Sequence, residues 1–127
     1  MEIIHKANIK EGKPLEKLTW MTERIIESLE STENALLFLV MIQASTSDAI
    51  PEEVKEVLTG ENSDSPVMAT IPLILDGQKK GEIIKEAPIT LAVTFYAVIQ
   101  GLAINKIHWD ECPLPNANII LKLFKGA

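Results

Sequence analysis

The chain has 127 residues, of which 46% are hydrophobic and 24% are charged, and its formal net charge is −6. These values exclude intrinsic disorder and suit one domain with a sizeable core. They also disfavour direct binding of nucleic acid, which requires a basic face. The single cysteine, Cys112, excludes an intrachain disulfide and fits a cytoplasmic location.

The first clear helical pattern begins at Pro14, a residue type that suits the first position of a helix, and continues to about Ser31. One face of this helix is apolar at helical spacing, and acids occupy the opposite face. Trp20 projects among those charges. We interpret Trp20 as a contact with another domain or with a partner protein, rather than as an isolated exposed ring.

A second helix is predicted from Thr32 or Glu33 to about Ser45, and its centre is apolar all round, as in a helix central to a bundle. Residues 51–60 then predict a short amphipathic helix that stops at Gly60, followed by a polar loop at 61–66.

A further helix begins at Ser65–Pro66 and ends near Gly81. Pro72 falls inside it, so we expect either a kink there or a restart with Thr70 as the N-cap. Next comes a long helix from Glu86 to Ile107. After a connector rich in helix breakers, residues 116–127 form a closing helix. The sequence therefore predicts an all-α fold, an antiparallel bundle of about six helices in a single domain spanning 1–127.

The long helix has two apolar sides. Its large residues cluster around Phe95 and are expected to face the core. The reverse side holds mostly small residues: Thr90, Val93, Thr94, Ala97, Gln100, Gly101 and Ile104. A glycine inside a helix costs about 1 kcal/mol relative to alanine, so we expect a close-packing reason for it.

We expect that reverse side to form a homodimer interface, together with Ile120, Leu123 and Phe124 of the closing helix. The alternative is complete burial of the long helix within one bundle. We do not expect it to span a membrane, because its apolar run from Ile89 to Ile104 is shorter than the roughly 20 residues that a span requires.

No catalytic motif, phosphate-binding loop or paired-cysteine metal motif is present in the sequence. The only concentrated set of reactive groups is His108, Asp110, Glu111 and Cys112, which lies in the breaker-rich connector. We interpret this set as a solvated corner, and we predict neither an enzyme nor a metal site or cofactor.

Three short elements carry a family resemblance: Gly77–Gln78 at a helix end, the turn Gly81–Glu82–Ile83, and the step Gln100–Gly101–Leu102. With the stretch EGKPLEKLTWMTERIIESL, they make the chain similar to the C-terminal half of tetracycline-repressor-like (TetR-family) transcriptional regulators. The N-terminal helix-turn-helix domain of that family has no counterpart here. Residues 1–12 would correspond to a remnant of its linker helix.

The resemblance implies a domain that senses a small hydrophobic effector and forms a homodimer. DNA would be contacted only through a helix-turn-helix domain outside this chain. A sensor pocket is mostly apolar, and the sequence offers these candidates for its lining: Met21, Ile25, Phe38, Met41, Ile42, Gln43, Met68, Phe95, Tyr96 and Ile99. The same residues also suit plain core packing.

Two functions follow. The first is the effector-sensing and dimerising domain of a transcriptional repressor, in which ligand binding shifts the dimer geometry. The alternative is a helical interaction module that dimerises without any ligand.

Overall fold

A computed structural model describes residues 2–46 and 66–126, and the fold in these ranges is all-α. Its helices are α1 (Glu2–Ile9), α2 (Pro14–Leu29), α3 (Thr32–Thr46), α4 (Pro66–Lys79), α5 (Pro88–His108) and α6 (Ala117–Leu121). The predicted fold class is confirmed. The helix expected at 51–60 lies outside the described residues, and so does the loop expected at 61–66, apart from Pro66.

Helix α2 begins at Pro14, as the sequence predicts, and its first turn is held from two directions. The Glu16 carboxylate accepts a hydrogen bond from the Lys13 backbone N–H at 3.4 Å. The Glu82 carboxylate, distant in sequence, accepts one from the Leu15 backbone N–H at 2.9 Å. Both bonds satisfy N–H groups at the helix start that have no partner within the helix.

Helix α5 is the central element, because it packs against both α3 and α4. Helices α3 and α5 run antiparallel: Thr32, at the start of α3, donates its hydroxyl proton to Asp110 Oδ1, just beyond the end of α5, at 2.8 Å. The side of α5 expected to face the core does so, since Leu91, Ala92, Phe95 and Ile99 are buried.

Helix α4 continues through Pro72, so neither a restart nor a Thr70 cap occurs. Thr70 is buried, and its hydroxyl bonds within the helix to the Pro66 carbonyl at 2.8 Å. Near the proline, the Asn8 amide of α1 donates to the Ala69 carbonyl at 2.9 Å. The chain leaves the helix through Gly81, whose φ of +75° is a left-handed conformation that favours glycine, so the predicted stop is confirmed.

The closing helix is much shorter than expected, because α6 ends at Leu121. Asn116 caps its start, accepting the Ile119 N–H at 3.2 Å. The chain then pairs with the α4–α5 connection instead of continuing as helix. Ile84 N–H donates to Phe124 O at 2.9 Å and Gly126 N–H to Glu82 O at 2.8 Å, around an isolated bridge between Ile83 and Lys125.

Candidate functional site

Most of the residues expected to line a ligand pocket are buried in the hydrophobic core. Six of them have at most 2% of their surface exposed: Met21, Ile25, Ile42, Phe95, Tyr96 and Ile99. Phe38 is also buried. The Phe95 ring meets Tyr96 edge-on, with centroids 4.9 Å apart, and lies 6.1 Å from Phe124. This is the core packing that the sequence left open as the alternative.

Little empty space remains beside these rings. A void of about 10 Å³ lies among Leu18, Ile74, Ile83 and Phe95. It holds one water at most, whereas pockets for small molecules span about 300–1,000 Å³. In the part of the chain that the structure describes, these residues therefore pack as core, and a ligand pocket among them stays a prediction.

The other three expected pocket residues are not part of this buried set. Met41 is half-buried on α3, and Met68 is 54% exposed on α4. The side chain of Gln43 lies outside the described part of the structure.

One polar pair is enclosed in the core. The Tyr96 hydroxyl lies 2.7 Å from Thr70 Oγ1, and both residues are buried. Burial raises the pKa of the Tyr96 hydroxyl well above its ordinary value, and the hydrogen bond with Thr70 opposes the shift only in part. Tyr96 is therefore a neutral hydrogen-bonding link between α4 and α5.

The small-residue side of α5 faces outward in the single chain. Thr90, Thr94, Ala97 and Gly101 are exposed, and Gln100 is half-buried. The larger members, Val93 and Ile104, are 52% and 41% exposed. Apart from the adjoining backbone of α5, a Cβ added at Gly101 would meet no atom within 4 Å among residues 2–46 and 66–126, so packing in this part of the chain does not require the glycine.

Helix α3 also exposes apolar side chains. Leu36, Leu37 and Val40 are 50%, 59% and 42% exposed. Because α3 packs against α5 and runs antiparallel to it from the Thr32–Asp110 bond, these three residues lie on the helix beside the second half of α5. We call this surface the α3–α5 face: Leu36, Leu37, Val40, Ile89, Thr90, Val93, Thr94, Ala97, Gln100, Gly101 and Ile104.

Two residues expected at the dimer interface lie elsewhere. Ile120 and Phe124 are each 3% exposed and belong to the core, because the chain after α6 folds back over Phe95. Leu123 is 56% exposed, as an interface residue would be.

A groove of about 470 Å³ opens at the start of α2, and none of the residues expected to line a pocket forms its walls. Its walls include the Trp20 ring and the Leu15 side chain, with the carboxylates of Glu16, Glu23 and Glu82 around them. Trp20 itself is half-buried, and the Lys10 ammonium lies 5.3 Å from its ring centroid. The sequence marked Trp20 as unusual among charges, but it did not show that a lysine from the α1–α2 connection covers the ring.

The polar connector after α5 does not assemble a reactive centre. His108, Asp110 and Glu111 are exposed, whereas Cys112 is buried with its Sγ 3.7 Å from the Pro113 carbonyl. Within residues 2–46 and 66–126, no three His, Cys, Asp or Glu side chains come close enough together to hold a metal ion.

By length and composition alone, α5 could cross a lipid bilayer. A third of its most apolar window is buried inside the fold, and the expectation that α5 does not span a membrane stays a prediction.

No family model matches the chain, and neither the curated proteins nor the solved structures give a match. The resemblance to TetR-family regulators therefore rests on the short elements named above and stays a prediction.

Proposed function

We propose that this protein is a helical homodimerisation domain whose two copies meet through the α3–α5 face. The observation that carries the proposal is the outward row Val93, Ala97, Gly101 and Ile104 on a helix whose other side is already buried. Exposed apolar residues that form a continuous surface mark interaction sites, whereas scattered ones do not.

The chemistry of the face favours a second copy of the same chain. From Ile89 to Ile104, a length of about 24 Å at helical rise, α5 carries no charged residue. Two such faces related by a two-fold axis would exclude water without burying a charge. The hydroxyl of Thr94 already bonds to the Thr90 carbonyl at 2.8 Å, so burial would leave that group satisfied.

The small residues set how closely two copies approach. Ala97 and Gly101, one turn apart, leave a shallow place on α5 where a second backbone fits. Close helix crossings use small residues for this steric reason. The space beyond Gly101 is open, so a second helix could approach closely there. Such an approach would explain why α5 contains a glycine despite its cost to helix stability.

The packing of most expected pocket residues as buried core supports the ligand-independent form of this function over a domain that senses a small hydrophobic effector. If the TetR-family resemblance holds, the domain serves as the dimerising half of a cytoplasmic transcriptional regulator. In that case DNA is bound through the helix-turn-helix domain of that regulator.

The test is the mass of the protein in solution, measured by sedimentation equilibrium over a hundredfold range of concentration. The wild type should be a dimer at micromolar concentration. Val93→Lys should be a monomer, because it places a charge at the centre of the seam. Leu75→Lys is a matched control, since Leu75 is 51% exposed on α4, close to the 52% of Val93.

A wild-type protein that stays monomeric would overturn the proposal. So would a Leu75→Lys variant that dissociates as readily as Val93→Lys, since that would move the interface to α4. Wild-type association only with detergent micelles or lipid vesicles would point to a membrane surface as the occupant of the face.

A further inference from the structure

The groove at the start of α2 combines an aromatic wall with an acidic border. Trp20 and Leu15 supply the apolar surface, and Glu16, Glu23 and Glu82 supply three carboxylates against the ammonium groups of Lys13 and, over the Trp20 ring, of Lys10. At about 470 Å³ its volume lies within the range of small-molecule sites. The lining therefore has a net negative charge beside an aromatic ring.

Two of the carboxylates are held in place by the backbone. Glu82 accepts the Leu15 N–H at 2.9 Å, and Glu16 accepts the Lys13 N–H at 3.4 Å. Glu23 is anchored more loosely, with its carboxylate 3.7 Å from the exposed Arg24 guanidinium. The acidic border is thus largely preorganised, which lowers the entropic cost of binding a ligand.

The Trp20 ring already attracts a cation. The ammonium of Lys10, on an exposed side chain, lies 5.3 Å from the ring centroid, within the range of a cation–π interaction. An organic ammonium ion bound in the groove would meet the same ring. It would also meet the carboxylates, and Lys10 is the charge that competes with it.

We propose that this groove binds a small organic cation with an apolar body, with the cationic head between Trp20 and the carboxylates of Glu23 and Glu82. The apolar body lies along Leu15. This site shares no residue with the α3–α5 face, so its test does not depend on whether the protein forms a homodimer.

The experiment is a ¹H–¹⁵N NMR titration of the whole chain with benzyltrimethylammonium chloride. The chain has two tryptophans, Trp20 and Trp109, and Trp109→Phe assigns the two indole N–H signals. We expect a saturable shift of the Trp20 signal and no shift of the Trp109 signal. Phenylacetate, which has the same benzyl body and the opposite charge, should bind at least about tenfold more weakly.

Matched variants identify the carboxylate. Glu23 and Glu27 are both exposed beside Arg24, but only Glu23 lines the groove. Glu23→Gln should weaken binding about threefold, and Glu27→Gln should leave it unchanged. Lys10→Met should strengthen binding, because it removes the competing cation. Trp20→Leu, with helix content checked by circular dichroism, should lower the affinity about tenfold or more, as read from the Leu15 and Thr19 amides.

Equal affinity for phenylacetate would overturn the proposal, since the groove would then select apolar rings irrespective of charge. An unmoved Trp20 signal at saturating probe, or the same loss of affinity in Glu27→Gln as in Glu23→Gln, would overturn it as well.

Discussion

The hydroxyl of Tyr96 donates a hydrogen bond to Thr70 Oγ1 in the buried core, with 2.7 Å between the two oxygen atoms, and this bond joins α5 to α4. The direction follows from the neighbouring bond: the Thr70 hydroxyl proton goes to the Pro66 carbonyl at 2.8 Å, which leaves its oxygen to accept. Both hydroxyl groups are thereby satisfied in surroundings that exclude water.

Tyr96→Phe should destabilise the protein by about 1 kcal/mol, because it removes the donor while Thr70 keeps its bond to Pro66. Urea unfolding at pH 7, followed by circular dichroism, measures the difference. A loss several times larger would show that the ring itself had been displaced.

Alkaline pH should weaken the fold through the same residue. Burial raises the pKa of Tyr96 above its unfolded value near 10, so above about pH 10 the unfolded chain releases a proton that the folded chain keeps. The stabilising contribution is complete below pH 10. Above it, the free energy of unfolding should fall by up to about 1.4 kcal/mol per pH unit from this group.

The control for that pH dependence is Tyr96→Phe, which retains every lysine and all other titrating groups. Its unfolding free energy should fall less steeply than that of the wild type between pH 10 and 11.5. Identical slopes would show that the tyrosine hydroxyl is hydrated in the folded state.

Gly77→Ala should destabilise the fold, because a Cβ at residue 77 would lie 2.3 Å from Cδ1 and 2.6 Å from Cγ1 of the buried Ile83. Overpacking of this kind costs about 1–3 kcal/mol. In an Ile83→Ala background the added methyl has room, so the cost of Gly77→Ala should shrink markedly in a double-mutant cycle. An unchanged cost would assign the effect to the backbone of α4.

The two sides of α5 show how far the sequence leads. Helical spacing separated the buried Phe95 side from the exposed Gly101 side, because the period of the helix alone decides which residues share a face. Spacing does not tell a core from a pocket. Met21 and Ile99 suit both, and only the volumes of neighbouring side chains, which come together from distant segments, close the space around them.

The end of the chain was harder to predict for a related reason. The residues after Leu121 have a composition compatible with helix, but their backbone groups bond to Glu82 and Ile84, about 40 residues earlier. Such a pairing leaves no local signal. The Trp20 groove was missed likewise, since Glu82 enters it from another part of the chain; the signal that pointed to it was a lone aromatic residue in a row of charges.

Substitutions at Gly101 should separate the stability of one chain from its association. Beyond the local backbone of α5, no atom of the described residues lies within 4 Å of an added Cβ, so Gly101→Ala should stabilise an isolated chain by up to about 1 kcal/mol. Gly101→Leu should retain the helix content and abolish the dimer, because its side chain would push two copies apart. Light scattering and circular dichroism measure these effects, and a dimeric Gly101→Leu would place the interface elsewhere.

Phe95→Ala should cost roughly 3–5 kcal/mol and leave a cavity continuous with the small void beside it. Benzene should then raise the melting temperature of this variant, because a dry apolar cavity binds such ligands. The wild type should show no comparable shift with benzene or larger apolar compounds. A clear rise in the wild type would revive the effector-sensing hypothesis.

The pairing of Ile83 with Lys125 has a consequence for how the protein opens. Phe124, next to this pairing, is buried and lies against Phe95. We therefore expect residues 122–126 to unfold together with the core rather than separately. The amide protons of Ile84 and Gly126 should therefore exchange with solvent at the same slow rate, as members of one cooperative unit that joins the C-terminal segment to the α4–α5 connection.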